Sequence, residues 1–209
     1  MISSIAMLED YRRYPIGIQN FEQLRNNNCV YVDKTELVYR LTHTDQVYFL
    51  SRPRRKSLLV STLEAYFQGK KDLFRGLAME RLEQDWESYP VLHIDFSISK
   101  YLSAHYLRSA INWFLERWER EYGCCVEDKK GTPFSVRLGN VIESAYKKTG
   151  KAVVVLVDDY DSPMLDTNSD VALQGELRGI MRDFFSPLKG MGQYLRFLFI
   201  TGNTKSSGI

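Results

Sequence analysis

Cysteine, histidine and one-signed charge are all scarce in this chain, and each scarcity closes a class of function. Three cysteines stand among 209 residues: Cys29 and the adjacent pair Cys124 and Cys125. An odd count without regular spacing is no disulfide framework, and neighbouring cysteines seldom bridge each other. His43, His93 and His105 show no metal-ligand spacing with the cysteines or with one another, so no zinc site is expected. Lysine plus arginine number 28 against 26 aspartate plus glutamate, and a net charge of +2 is too balanced to argue for nucleic acid by itself. No apolar run approaches the roughly 20 residues of a membrane span, and the start of the chain has no signal-peptide core. Met1 to Arg13 is polar with both charge signs and reads as a loose leader. The expectation is a cytoplasmic protein without a membrane partner.

With 44% hydrophobic and 26% charged residues, the chain suits an ordinary globule with a sizeable core. No internal repeat, low-complexity tract or linker interrupts residues 14–209, which are expected to form a single domain. Its most informative stretch is Lys151 to Pro163, KAVVVLVDDYDSP. Val153 to Val157 is too apolar for a half-exposed strand and reads as one buried on both faces, as in parallel sheets. It breaks abruptly into Asp158, Asp159, Tyr160 and Asp161. Acids at the carboxyl end of a buried parallel strand lie at the crevice where open α/β sheets bind ligands. Four hydrophobics followed by two acids also form the pattern called Walker B, whose first Asp holds Mg²⁺ and whose second acid activates water. The bland alternative is a buried strand ending in a polar turn.

Elsewhere strands alternate with helices. A short helix is expected over Phe21 to Arg25 and an extended piece over Cys29 to Val32. Asp33 is placed to cap a helix from Lys34 to Leu41, with Glu36 at the capping-box position. Val47 to Leu50 reads as a buried strand, followed by the basic loop Arg52 to Arg55 and a helix over Lys56 to Phe67 that stops at Gly69. One or two helices, interrupted near Gly76, are expected over Lys71 to Trp86, and a strand over Pro90 to Phe96 ends near Asp95. The helix predicted over Ala104 to Tyr122 carries Tyr106, Trp113, Phe114 and Trp118 near one face, as core or partner contacts. Further helices are expected over Phe134 to Thr149 and Val171 to Leu188, with a last strand over Tyr194 to Ile200. This alternation argues for an α/β fold with a mainly parallel sheet.

A phosphate-binding loop would have to lie upstream of the acidic strand. The segment Ser51-Arg52-Pro53-Arg54-Arg55-Lys56-Ser57 joins strand to helix and ends in Lys-Ser, as such loops do, but it has no glycine. Lys56 is expected to reach the β- and γ-phosphates and Ser57 to ligate Mg²⁺, beside Arg54 and Arg55.

The segments YPIGIQNFEQLR, VYVDKTELVYRL, YFLSRPRR, KSLLVSTLEAYFQGKKDLF, VVVLVDDYDSP and RFLFITGNTK resemble the AAA-ATPase-like proteins of anaerobic bacteria. There, a degenerate P-loop domain is commonly followed by a restriction-endonuclease-like nuclease domain. The resemblance runs from Tyr14 to Lys205. It implies a P-loop NTPase-like α/β sandwich of the AAA/ASCE type, in three layers, binding ATP with Mg²⁺. Asp158 then corresponds to the metal-holding acid and Asp159 to the catalytic one, with Thr201 and Asn203 sensing the γ-phosphate at the tip of the last strand. Two departures from the family pattern RPRRFGKS and its acidic pair stand out. The Phe-Gly pair between Arg55 and Lys56 is absent, which shortens the loop and removes the residue best suited to a positive-φ phosphate nest. Asp159 replaces the usual Glu, retracting that carboxylate by about one C–C bond, a shift of the size that costs roughly 10²-fold in rate. The chain is therefore expected to be a truncated member with impaired turnover, its Val47–Leu50 strand left at a sheet edge that invites self-association.

Two other functions compete. A non-hydrolysing binding or scaffold module would use the Arg52 to Lys56 run on nucleic-acid phosphates or on protein. A nuclease would gather Asp95, Asp158, Asp159 and Asp161 around metal, although no acid-x-Lys partner follows.

Overall fold

The computed structural model describes residues 12–51, 56–124, 126–129, 131–167 and 170–203. They fall into two compact units, one of residues up to Thr44 with Ser57–Ser88, the other of Asp45–Lys56 with the residues from Tyr89 on.

The first unit is helical. It contains α1 (Phe21–Asn26), α2 (Thr35–Thr44), most of α3 (Lys56–Phe67), a 3₁₀ turn at Lys71–Phe74 and α4 (Ala78–Leu82). Its centre is aromatic: Phe74 lies 4.9 Å from Phe21 and 5.1 Å from Trp86, ring to ring. Asn20 caps α1 by accepting the Gln23 N–H. Asp33 accepts from both the N–H and hydroxyl of Thr35, and its other oxygen accepts the Ala78 N–H, so one carboxylate joins the starts of α2 and α4. Glu36 pairs with Arg40 one turn on rather than forming a capping box. Of the extended piece expected at Cys29 to Val32, only a bridge between Arg13 and Cys29 is present. Gly69 and Gly76 both take positive φ, the first ending α3 and the second separating the 3₁₀ turn from α4.

The second unit is α/β. Strands β1 (Val47–Ser51), β2 (Val91–Asp95), β3 (Val153–Asp158) and β4 (Leu195–Gly202) form a four-stranded parallel sheet in the order β1-β4-β3-β2. Every residue of β3 is buried, because a central parallel strand has both faces covered. One face presents Leu92, Ile94, Val155, Val157, Leu198 and Ile200, packed with α5 (Ala104–Tyr122), α6 (Phe134–Thr149) and α8 (Val171–Phe185) in one continuous core. The sequence expectation for α5, α6 and α3 agrees with these bounds.

Three expectations need correction. β1 stands at the edge of the described sheet, as the sequence suggested, but it is half exposed, with Val47 and Phe49 open to solvent, rather than buried like β3. An edge strand lacks a neighbour on one side, so apolar composition alone does not bury it. The aromatics of α5 occupy two faces. Phe114 and Trp118, one turn apart, are buried, whereas Tyr106 and Trp113, seven residues apart, share an exposed stripe where Arg117 stacks on Trp113. The helix expected to reach Leu188 ends at Phe185 and tightens into a 3₁₀ turn over Ser186–Lys189 around Pro187.

α5 and α6 are further tied by a buried ion pair. Arg137, fully buried, donates through Nε and Nη2 to the two oxygens of Glu119 at 2.7 and 3.0 Å, and through Nη1 to Asn112.

Candidate functional site

Parallel pairing sets the carboxyl ends of the strands level. Asp95 of β2 stands opposite Asp158 of β3, and Ser51 of β1 stands opposite Gly202 of β4. Polar residues at these tips are therefore neighbours, although the chain separates them by up to 150 positions.

Two strand tips and one helix start build the site. Asp158 ends β3 and is almost wholly buried. Its Oδ1 accepts from the Thr201 hydroxyl of β4 and, at 3.1 Å, from the N–H of Asp159. The Thr201 hydroxyl oxygen also accepts the Asp159 N–H at 3.1 Å, and the Thr201 carbonyl accepts the N–H of Tyr160. Asp159 itself takes φ +52°, a left-handed conformation that costs a non-glycine residue about 1–2 kcal/mol. The hydrogen bonds on its N–H and on that of Tyr160 hold this sharp turn.

The turn aims Asp159 at Lys56. Lys56 is the first residue of α3, and its side chain is only 5% exposed. Its Nζ lies 2.8 Å from Asp159 Oδ1 and donates to Asn203 Oδ1 at 2.5 Å. A nearly buried ammonium requires such partners, since unpaired it would lose its proton or destabilise the fold. Asn203 follows β4 directly, and its own N–H donates to both oxygens of Asp161, at 2.9 and 2.8 Å.

Five residues singled out from sequence thus converge: Lys56, Asp158, Asp159, Thr201 and Asn203. Ser57 follows Lys56 in the first turn of α3 and is partly exposed. Arg54 and Arg55, with the rest of the basic loop from Arg52, lie outside the described residues. Asp161 carries more of the site than its sequence context suggested, because it had been singled out only as a possible fourth acid of a nuclease. Its signal was the spacing Asp158-x-x-Asp161 on a tight turn. Asp95 does not join the cluster by any described hydrogen bond; its Oδ1 accepts the Ser97 N–H and caps the 3₁₀ turn after β2. Among the described residues no group of three or more histidine, cysteine, aspartate or glutamate side chains is placed to hold a metal ion. The four-acid nuclease arrangement is therefore not formed by the described residues.

The family model described as a predicted AAA-ATPase (AAA-ATPase-like) matches residues 15–207 of this chain. The chain belongs to that predicted AAA-ATPase family. A curated relative, an uncharacterized protein in the vnfD 5' region of Azotobacter chroococcum mcd 1, is 36% identical over 202 residues. That match covers 95% of this chain but 38% of the relative, so the AAA-ATPase-like chain spans well under half of that protein's length. No solved structure matches the chain. The sheet order and flanking helices agree with a P-loop NTPase-like AAA fold. No helix among the described residues is long and apolar enough to cross a membrane.

Proposed function

We propose that this AAA-ATPase-like chain binds a nucleoside triphosphate, ATP, together with Mg²⁺ at the tips of β3 and β4, and that its shortened loop impairs hydrolysis. One observation carries the proposal: the nearly buried ammonium of Lys56, at the start of a helix that follows a parallel strand, faces the Asp158-Asp159 turn of the acidic strand. A lysine at the start of a helix after a parallel strand, facing two acids at a neighbouring strand tip, is where a phosphate-binding loop puts its lysine.

The donor set suits both groups. The Lys56 ammonium donates to Asn203 and sits 2.8 Å from Asp159 Oδ1, an oxygen that accepts no hydrogen bond from the described residues, so a phosphate oxygen can be met by a proton not committed to Asn203. Asp158 and Asp159 bring two carboxylates to the same strand tip as the Lys56 ammonium, acidic groups of the kind that hold Mg²⁺ beside a phosphate. Mg²⁺ ordinarily takes one or two carboxylates plus substrate phosphates rather than a closed protein cage. Asp158 and Ser57 would hold it, and Arg54, Arg55 and Lys56 would meet the phosphates. ATP supplies the transferable phosphoryl group, and Mg²⁺ neutralises its charge. Asp159 would orient the attacking water, and Thr201 and Asn203 would contact the γ-phosphate side. The Thr201 hydroxyl joins the Asp158 carboxylate to the main-chain N–H of Asp159, and so holds the turn between the two acids.

Calorimetric titration with MgATP, on this chain and on a version with Phe-Gly inserted between Arg55 and Lys56, tests the proposal. Both are expected to bind, the inserted version more tightly, with Lys56→Ala abolishing binding in each. Binding that survives Lys56→Ala, or no binding by either version, would refute it; salt-sensitive retention of nucleic acid without ATP would then favour a basic-loop binding module.

A further inference from the structure

We infer that Asp161 is a positioning residue of the phosphate site: it fixes Asn203 and, through Asn203, the ammonium of Lys56. The consequence for nucleotide rests on the function proposed above, but the linkage itself does not.

Asp161 occupies the N-cap of α7 (Ser162–Leu165), where an aspartate ordinarily turns its carboxylate onto the first N–H groups of its own helix. Here the side chain makes no capping bond. Only its main-chain carbonyl serves α7, accepting from Met164 and Leu165. The carboxylate instead crosses to the end of β4, where both oxygens take the single N–H of Asn203. It is 4% exposed, so this bond forms in a medium where charge-assisted hydrogen bonds are strong.

A glycine at 202 leaves room for this crossing. A Cβ placed on Gly202 would stand 3.3 Å from Asp161 Oδ1 and 3.4 Å from its Cγ, tighter than ordinary contact. Gly202 is not in a left-handed conformation, so space and not φ calls for glycine at this position. Asn203 is thereby held from two sides, by its main chain on Asp161 and by its side chain on Lys56. Release of the first contact frees the second. Lys56 then loses the acceptor on Asn203 while its ion contact with Asp159 remains.

The experiment reads Lys56 directly in the nucleotide-free protein. Trace acylation of amines with acetic anhydride, quantified by mass spectrometry, gives the rate at Lys56 in wild type, Asp161→Ala, Asn203→Ala and the double variant. Loss of a hydrogen bond to a charged group corresponds to roughly a tenfold change. Asp161→Ala and Asn203→Ala are each expected to raise the Lys56 rate by about that factor, and the double variant no further, because both act through one contact. Amide exchange in β3 should stay at wild-type rates, which a general loosening of the fold would not permit. Asp161→Asn keeps the shape against Gly202 and one acceptor, so it should restore most of the protection. A wild-type Lys56 rate in folded Asp161→Ala, with an accelerated rate in Asn203→Ala, overturns the inference. If Asp161→Ala does not fold, Asp161→Ser decides, because its hydroxyl can cap α7 but is too short to reach Asn203: a faster Lys56 rate with a changed Asn203 amide proton shift supports the inference, and wild-type values for both overturn it. A parallel MgATP titration separates the two proposals. Failure of wild type to bind refutes the nucleotide function and leaves the acylation result standing; binding with unchanged acylation refutes the positioning role alone.

Discussion

Asp159→Asn should make this protein bind MgADP more tightly while making it less stable. The Lys56 ammonium is held on Asp159 at 2.8 Å with 5% of the lysine and 19% of the aspartate side chain exposed. A phosphate oxygen recruiting that ammonium must weaken this contact. Asparagine retains an acceptor oxygen and tolerates left-handed φ, so the turn at φ +52° survives and only the charge is lost. The contact is an ion pair rather than an aligned hydrogen bond, and taking the difference between charged and neutral partners of a buried polar group, the charge accounts for about 1–1.5 kcal/mol. Nucleotide no longer has to overcome that amount, which corresponds to about a tenfold gain in affinity. Removal of a carboxylate beside the phosphates acts in the same direction. Folding loses the same amount, or a fall in Tm of about 2–4 °C for a chain of this size. MgADP is the proper ligand because no hydrolysis complicates its titration. Calorimetry and thermal unfolding on wild type, Asp159→Asn and Lys56→Ala measure both effects. If Asp159→Asn binds MgADP no better than wild type while Lys56→Ala still loses binding, Asp159 does not restrain the lysine and the reasoning is refuted.

Two further perturbations probe the fold away from the site. Arg137→Met leaves Glu119 buried with Lys129, at 3.6 Å, as its remaining cation among the described residues, and should cost about 3–5 kcal/mol in urea unfolding; a loss below about 1 kcal/mol would show that the pair is not the tie between α5 and α6. Asp33→Asn tests a pH-linked cap. Burial pushes the Asp33 carboxyl upward, but hydrogen bonds from Thr35 and Ala78 and the charge of Arg25 outweigh it, leaving it below the usual carboxylate range. A depressed folded value means that the stabilisation is complete above the unfolded pKa of about 3.9 and disappears as pH falls through the folded value. The variant should therefore be about 1 kcal/mol less stable at pH 7, the worth of a typical cap, and the gap should close in strong acid; a gap that persists unchanged at low pH would contradict this.

Much of the secondary structure was legible because its signals are local. Gly150 closes α6 with positive φ, Gly69 does the same for α3, and the unbroken apolar run of β3 announced a strand covered on both faces. The two acids at its end could be placed at a crevice for the same reason, since parallel strands end together. Lys56 and Ser57 were legible as a pair opening a helix. By itself, then, the sequence determined the α/β alternation, the family and the residue types at the strand tips.

Tertiary structure alone decided which of those residues touch. Nothing in the run Asp158-Asp159-Tyr160-Asp161 tells that Asp159 would turn left-handed onto Lys56, that Thr201 would hold the turn between the two acids, or that Asp161 would leave its own helix to hold Asn203. Those contacts join positions more than 40 residues apart in sequence, and they depend on the strand order β1-β4-β3-β2, which periodicity does not encode. Tyr106 and Trp113, expected on the same face as Phe114 and Trp118, lie on an exposed stripe for a related reason. Helical spacing assigns residues to stripes, but only the packed neighbours determine which stripe the core covers.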